Sequence, residues 1–254
     1  MKRTFASLFP PKKRTVGVWV SSSSCVVAEI LAAAGFDFVI IDNEHAGWGG
    51  DNNISLVRAA DAMGTATIIR VTDLAETPIK QALDLGATAV LIPQINSAAD
   101  ARRAVQLAKF GPDGTRGACP YTRANDYAVN DLTKYYGRAN RELSSVVLCL
   151  ESEQAIDEID EIVQLDGVHS IAVGPVDLSV SMGIPGDVTN PRVEDAISRA
   201  IEACKKYGKY YLAQCTSREE AEKWFGRGAD YAMMSDVMML ADVAKSSLDA
   251  VRNA

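Results

Sequence analysis

The sequence predicts an α/β fold, a (β/α)8 (TIM) barrel, from two observations. About eight short apolar runs alternate with helix-like segments along the 254 residues. The runs are almost continuously apolar, which is typical of parallel strands buried on both faces. Eight such units in roughly 250 residues is the size of a closed barrel. The chain has no linker or change of composition, so we expect one domain over residues 1–254, with residues 1–14 as a lead-in.

The predicted strands are short and rich in β-branched side chains. In chain order they are residues 15–20, 36–42, 65–71, 87–93, 145–150, 169–173, 209–213 and 229–233. An open, doubly wound sheet is the alternative. It would require a glycine-rich phosphate turn after the first strand, where residues 21–24 are four serines, and the chain has no G-x-G-x-x-G motif.

The predicted helices follow the strands and carry recognisable start and stop residues. Gly35 ends the first, Asp51 or Asn52 caps the second, and Ser97 opens the fourth. The predicted helical ranges are 25–34, 52–63, 77–85, 97–110, 125–143 (in part), 153–165, 190–207, 217–227 and 235–251. Residues 111–123 form a long aperiodic loop, and such loops in compact domains are often functional.

Composition excludes several classes of protein. A net charge of −7, with basic residues scattered among acidic ones, argues against a nucleic-acid partner. Five widely spaced cysteines without a C-x-x-C pair predict neither a disulfide framework nor a thiolate zinc site, and fit reduced thiols in a cytoplasmic protein. No apolar window approaches the roughly 20 residues of a membrane helix, so we expect no membrane partner.

Polar side chains follow five of the predicted strands. The second strand ends in Asp42, Asn43, Glu44 and His45, and the others run into Arg70, Gln94, Glu151 and the segment Gly174, Pro175, Val176 and Asp177. Since the active site of a (β/α)8 barrel lies at the C-terminal ends of its strands, these residues are candidates for one site. The alternative for any single one is an ordinary loop start.

Two carboxylates on neighbouring strands suggest a cation site. Glu151 and Asp177 could hold one divalent cation, with water and substrate oxygens as further ligands, and oxygen donors favour Mg²⁺ or Mn²⁺ over zinc. The alternative is two surface carboxylates. Arg70 could pair with a neighbouring carboxylate or bind a substrate carboxylate or oxyanion with its rigid fork.

The two histidines are predicted to differ in role. His45 lies among carboxylates after a strand and is a natural general base near neutral pH. Asp42 either orients His45 or simply caps the turn that follows the strand. His169 opens the sixth strand, on the opposite face, and is predicted to be structural. Cys149 points into the barrel near the mouth, but no neighbour in sequence would stabilise a thiolate, so a small buried residue is the preferred interpretation.

Several segments resemble the HpcH/HpaI aldolase family, the metal-dependent class II pyruvate aldolases. They are GFDFVIIDNEHAGW, ATAVLIPQINSAADARRAV, GPDGTRG, LESEQAIDEIDEIVQLDGV and VGPVDLSVSMGIPGDVTNPRVEDAI. The likeness runs from about Val16 to the eighth strand, and the GP-x-DLS-x-x-MG-x-PG stretch is its most specific part. Two positions depart from the family pattern: Cys149 replaces a usual glutamine, and Asn43 replaces a glycine or leucine.

The resemblance implies a role for each candidate residue. His45 would be the general base with Asp42 as its partner, and Arg70 would bind the pyruvoyl oxygens and stabilise the enolate. Glu151 and Asp177 would ligate the metal, Mg²⁺ or Mn²⁺ with Co²⁺ as a further option, and the backbone around Val176 and Asp177 would receive the substrate carboxylate. The residues expected to shape the acceptor side are Gln94, Asp84, Arg116 and Arg123. Relatives are typically hexamers, trimers of dimers that exchange a C-terminal helix, here about residues 235–252.

The function that the resemblance implies is cleavage of a 4-hydroxy-2-oxo acid to pyruvate and an aldehyde through a metal-bound pyruvate enolate, or the reverse addition. The expected partners are therefore small oxo-acid and aldehyde substrates. Two alternatives stay open. One is a citrate-synthase-like or other enolate condensation on the same barrel, and the other is an oxo-acid-binding protein without catalysis.

Overall fold

A computed structural model of the chain describes residues 4–11, 13–46, 52–129 and 131–253. In it, eight parallel strands form a closed barrel in sequence order, with β8 pairing back onto β1. The strands are β1 (Thr15–Val20), β2 (Phe38–Asp42), β3 (Ala66–Arg70), β4 (Ala89–Ile95), β5 (Ser145–Leu150), β6 (Val168–Val173), β7 (Tyr210–Gln214) and β8 (Tyr231–Ser235). The predicted (β/α)8 barrel is confirmed, with strand limits within three residues of those expected.

The apolar character of the strands follows from burial on both faces. Along β2, for example, Phe38 and Ile40 point into the barrel, whereas Val39 and Ile41 point outward to the helices. Side chains alternate in this way because successive residues of a strand face opposite sides. All four are 1% exposed or less. The same alternation directs Asp42, the last residue of β2, to the interior.

Helices connect the strands around the outside of the barrel. They are α1 (Cys25–Ala34), α2 (Asn53–Ala62), α3 (Glu76–Asp84), α4 (Ala98–Ala108), α5 (Leu132–Arg138), α6 (Glu153–Asp157), α7 (Ile159–Val163), α8 (Pro175–Ser181), α9 (Pro191–Tyr207), α10 (Arg218–Arg227) and α11 (Asp236–Arg252). The hydroxyl of Ser97 accepts the Asp100 N–H as predicted, and Gly35 ends α1 in the left-handed conformation.

The helices differ from the expectation at three places. The predicted helix 153–165 is two short helices that meet at Glu158, and α8 occupies a segment that was expected to be only a strand end. Asn52 makes no side-chain cap on α2, because its amide donates to the Ser23 carbonyl instead. Asp51, the other predicted cap, lies outside the described residues.

The lead-in closes the N-terminal end of the barrel. A 3-10 turn at Phe5–Leu8 buries Phe5 to 2% exposure among the rings of Phe9, Tyr210 and Tyr231. His169 meets the same cluster, and its Nδ1 accepts the Val146 N–H. Burial, together with two nearby lysines, lowers the pKa of His169 to about 4, so this ring is neutral at physiological pH and serves the structure.

Candidate active site

Residues at the C-terminal ends of β2, β3 and β5 meet inside the barrel mouth. Asp42 and Arg70 are direct register partners on β2 and β3. Glu151 follows β5 in the inward phase of that strand, two residues after Cys149, which belongs to the inner cluster. The inward alternation of three strands therefore brings the predicted catalytic pair and one predicted metal ligand to one rim, as the sequence led us to expect.

Arg70 is held rigidly by its neighbours. Its Nε and Nη2 donate to the two carboxylate oxygens of Asp42 at 2.9 and 2.8 Å, and its guanidinium lies 4.3 Å from the ring centre of Trp19. Burial alone would raise the pKa of Asp42, but the hydrogen bonds and charge of Arg70 outweigh it and lower that pKa. Asp42 is thus a carboxylate that orients Arg70 through a bidentate pair.

Glu44 is a third member of this cluster, which the sequence did not assign. Its side chain is 7% exposed, and its Oε2 lies 3.0 Å from Arg70 Nη1 as an ion pair without an aligned N–H. Its Oε1 accepts the side-chain amide of Gln94 at 3.1 Å. Arg70 therefore lies between two carboxylates, Asp42 at the end of β2 and Glu44 two residues later, and is fixed from two directions.

His45 is the most exposed member of the group. Its side chain is 64% exposed, and Nε2 lies 3.7 Å from Glu44 Oε2. The carboxylate of Asp42 accepts the backbone N–H of His45 at 3.4 Å and that of Glu44 at 3.0 Å. Asp42 thus positions the His45 main chain, whereas the carboxylate beside the imidazole ring is that of Glu44.

Glu151 is a buried carboxylate whose described partners include no basic side chain. Its Oε2 accepts the backbone N–H of Gln94 at 2.7 Å, and the Cys149 thiol also hydrogen-bonds to it. Burial raises the pKa of Glu151, and the nearby charges of Glu44 and Asp177 raise it further. Such an arrangement of like charges is electrostatically unfavourable without a cation.

Gly174 makes room for this carboxylate. A Cβ atom at Gly174 would stand 2.8 Å from Glu151 Cγ and 2.9 Å from its Oε1. Asp177 lies in the first turn of α8, which Gly174 precedes and Pro175 begins, and it is exposed. The two predicted metal ligands are therefore on adjacent strand ends that face the same mouth.

The two carboxylates fit a hard divalent cation that takes only part of its coordination shell from the protein. Within the described ranges, no cluster of three or more His, Cys, Asp or Glu side chains could hold a metal. Glu151 and Asp177 would supply two carboxylates, and water and a chelating substrate would complete the shell, as is common for Mg²⁺. The buried, uncompensated charge of Glu151 is the observation that favours a cation here.

Cys149 lies in the barrel interior beside Glu151 and behaves as a buried thiol. Burial raises its pKa well above the ordinary value, and the charge of Glu151 adds to that effect. A thiolate nucleophile is therefore disfavoured, in agreement with the interpretation from sequence.

Three residues predicted for the acceptor side lie at the other end of the barrel. Arg116 Nη2 pairs with Asp84 at 2.6 Å, and its Nη1 donates to Ser144, which directly precedes β5. Arg123 pairs with Asp61 and donates to the Leu85 carbonyl. Within one chain these residues do not meet the strand-end cluster, and their contribution to the acceptor side stays a prediction.

Trp19, Glu44 and the backbone of Gln94 are parts of the site that sequence reasoning missed. A signal for Trp19 was present, because its position next to the end of β1 has the inward phase and its ring is large enough to reach Arg70. No local signal distinguishes the role of Glu44, which depends on contacts with β3 and β4.

Residues 15–237 match the family model described as HpcH/HpaI aldolase/citrate lyase. A hydroxypyruvate/pyruvate aldolase of Sagittula stellata is 33% identical over 82% of this chain and 81% of its own length. A 4-hydroxy-2-oxo-heptane-1,7-dioate aldolase of Escherichia coli is 30% identical over 97% of this chain and 94% of its own.

A solved structure agrees with these relatives. The crystal structure of an HpcH/HpaI aldolase/citrate lyase family protein from Burkholderia cenocepacia has a TM-score of 0.90 and 32% identity, covering 97% of this chain and 98% of the other. The agreement of sequence and fold spans nearly the whole chain. The chain therefore belongs to the HpcH/HpaI aldolase/citrate lyase family.

Proposed function

We propose that this protein is a divalent-metal-dependent lyase that cleaves a 4-hydroxy-2-oxo acid to pyruvate and an aldehyde, or catalyses the reverse aldol addition. Its curated relatives support the reaction class, because they are aldolases named for hydroxypyruvate or pyruvate and for a 4-hydroxy-2-oxo acid. The observation that carries the proposal is the link at one rim between the buried Glu151 and Arg70, which Asp42 holds in place: Gln94 hydrogen-bonds both to Glu151 and to Glu44, the second partner of Arg70.

Glu151 and Asp177 would hold the cation, Mg²⁺ or Mn²⁺. When bound, a divalent cation there would supply Lewis-acid chemistry that polarises the ketone of a 2-oxo acid. The backbone N–H groups of Val176 and Asp177, in the first turn of α8, would receive the substrate carboxylate.

Arg70 would stabilise the developing oxyanion. Its hydrogen bonds to Asp42 engage two of its five N–H groups, and Nη1 lies 3.0 Å from Glu44 without an aligned N–H, so N–H groups are left for substrate among the described contacts. Because these neighbours fix the guanidinium in advance, little reorganisation is needed as negative charge grows on the substrate oxygen.

His45 would take the proton from the C4 hydroxyl as the C3–C4 bond breaks, directly or through one water. Its exposed ring can reach substrate in the mouth, and Glu44 would stabilise the imidazolium that forms. Return of a proton to C3 of the enolate would then complete the formation of pyruvate.

Homo-oligomerisation is the second part of the proposal. The helix α11 exposes large apolar side chains in the isolated chain: Val237, Met238, Leu240, Val243, Leu248 and Val251. An apolar surface of this kind supports the expected exchange of α11 between subunits in a hexamer. Light scattering coupled to size exclusion would measure the mass, and a monomer at micromolar concentration would contradict this part.

None of the helices that the structure describes has the length and apolar character of a membrane span.

The function is tested by a panel of 4-hydroxy-2-oxo acids with added Mn²⁺, in which pyruvate is detected through lactate dehydrogenase. We expect the wild type to release pyruvate, excess EDTA to abolish this release and added Mn²⁺ to restore it. The variant Glu151→Gln should release no pyruvate. Turnover that persists after complete metal removal would contradict the metal requirement. Release of a thiol from acetyl-CoA in the presence of oxaloacetate, with no pyruvate formed from the 4-hydroxy-2-oxo acids, would instead support a citrate-type condensation. Binding of pyruvate without any turnover would support the non-catalytic alternative.

A further inference from the structure

Gln94 has an unusual backbone conformation at the rim of the barrel. It follows Pro93 in β4, at a place where the pairing of β4 with β5 shifts between Ile92 and Ile95. Its φ angle is +55°, in the left-handed region that residues other than glycine seldom adopt. Bulges and left-handed residues of this kind occur near active sites, where they redirect a backbone group or a side chain.

The bulge turns the Gln94 N–H towards the predicted metal ligand. This N–H donates to Glu151 Oε2 at 2.7 Å, and on the other side of the carboxylate the Gly174 backbone lies so close that a Cβ there would clash. Glu151 is therefore confined between the Gln94 N–H and Gly174. Its orientation depends on the Gln94 backbone staying left-handed.

The side chain of the same residue reaches the other half of the site. Its amide Nε2 donates to Glu44 Oε1 at 3.1 Å, and Glu44 in turn contacts Arg70 and His45 through Oε2. One residue thus connects the carboxylate expected to bind the cation with the carboxylate that steadies the arginine and the histidine.

We propose that Gln94 is a positioning residue with two separable actions, which deepens the proposed aldolase function and rests on it. The backbone N–H orients Glu151 for cation binding, and the side-chain amide orients Glu44 and, through it, Arg70 and His45. The amide is therefore not primarily a contact for the acceptor substrate.

Three substitutions separate the two actions. Gln94→Gly accepts a positive φ and removes only the amide, whereas Gln94→Ala and Gln94→Val remove the amide and disfavour the left-handed backbone, valine more strongly. Cation affinity is measured by electron paramagnetic resonance titration of Mn²⁺ without substrate. Circular dichroism and thermal melts establish that each variant is folded. If Gln94→Val does not fold, Gln94→Ala alone tests the backbone action.

We expect Gln94→Gly to bind Mn²⁺ within about threefold of the wild type but to lose about tenfold in kcat for pyruvate release. Gln94→Ala and Gln94→Val should weaken Mn²⁺ binding by at least about tenfold, the range seen when a partner of a metal ligand is lost. Wild-type Mn²⁺ affinity in the folded alanine or valine variant would overturn the backbone action. Wild-type kcat in Gln94→Gly would overturn the side-chain action.

A double-mutant cycle tests whether the amide acts through Glu44. If it does, Gln94→Gly should cause little further loss of kcat in a Glu44→Ala background. Additive losses would contradict that route. A wild-type protein that binds Mn²⁺ but turns over none of the oxo acids would refute the proposed function, whereas the Mn²⁺ comparison of the Gln94 variants would still decide the backbone action.

Discussion

Arg70, at the end of β3, donates two hydrogen bonds to the carboxylate of Asp42, its direct register partner at the end of β2. The side chain of Arg70 is 12% exposed and that of Asp42 is 4% exposed, so this bidentate pair is largely desolvated. Trp19 covers the guanidinium on one side. The pair gives the site a fixed positive group whose orientation does not depend on substrate.

Replacement of Arg70 by lysine should separate the role of geometry from that of charge. Lysine keeps the positive charge but cannot donate a fork to Asp42 while also facing a substrate oxygen. We expect Arg70→Lys to lower kcat/KM for pyruvate release about 100-fold or more, a loss of about 3 kcal/mol of the kind found for a missing oxyanion donor. Arg102→Lys, in an exposed pair with Glu161, is the matched control and should be near wild type. Activity of Arg70→Lys within threefold of wild type would contradict the assigned role.

Asp42→Asn should destabilise the fold in a pH-dependent way. Removing one member of a largely buried pair typically costs about 3–5 kcal/mol. Because Arg70 holds the folded-state pKa of Asp42 below its usual 3.8, the stabilisation is complete above that value and is lost as pH falls through the lowered pKa. Urea unfolding of both proteins should therefore show a gap in the free energy of unfolding at pH 7 that narrows below about pH 4. A gap that stays constant down to about pH 3 would show that the charge of Asp42 is not its source.

Gly174→Ala should damage the cation site and spare the barrel. The added Cβ would stand 2.9 Å from Glu151 Oε1, so the carboxylate must move from the position that Gln94 gives it. We expect Mn²⁺ affinity to fall by at least about tenfold. Gly226→Ala, in α10 where a Cβ meets no atom within 4 Å, is the matched control and should leave Mn²⁺ binding unchanged. Equal Mn²⁺ affinity in the two variants would mean that the close approach at Gly174 does not position Glu151.

Phe5→Ala tests whether the lead-in is part of the folded core. Phe5 is 2% exposed and contacts four aromatic rings, so its loss should lower the free energy of unfolding by about 3–5 kcal/mol. The KM of the folded protein should not change, because the cluster lies at the end of the barrel opposite the site. The measurement is urea unfolding beside Ser7→Ala, an exposed neighbour in the same turn. Equal free energies of unfolding for the two variants would show that the lead-in turn is not part of the folded core.

Local patterns in the sequence were enough for the barrel and for the position of its main catalytic candidates. Apolar runs of the right length and spacing determine the strands, and the two-residue repeat of a strand places Asp42, Arg70 and Glu151 inside at the same end. These properties belong to short segments and do not depend on how distant parts of the chain meet.

Barrel closure and the register between strands decided the rest. The link from Gln94 to both Glu44 and Glu151 depends on a shift between β4 and β5, and the burial of Phe5 depends on rings from β7 and β8. Asp84, Arg116 and Arg123 lie away from the site of their own chain because α3 runs antiparallel to the strands and ends at their N-terminal side. Local periodicity is therefore enough to tell which groups point into the barrel. Which of these groups touch depends on closure of the strands, since it brings together residues about 50 positions apart in the chain.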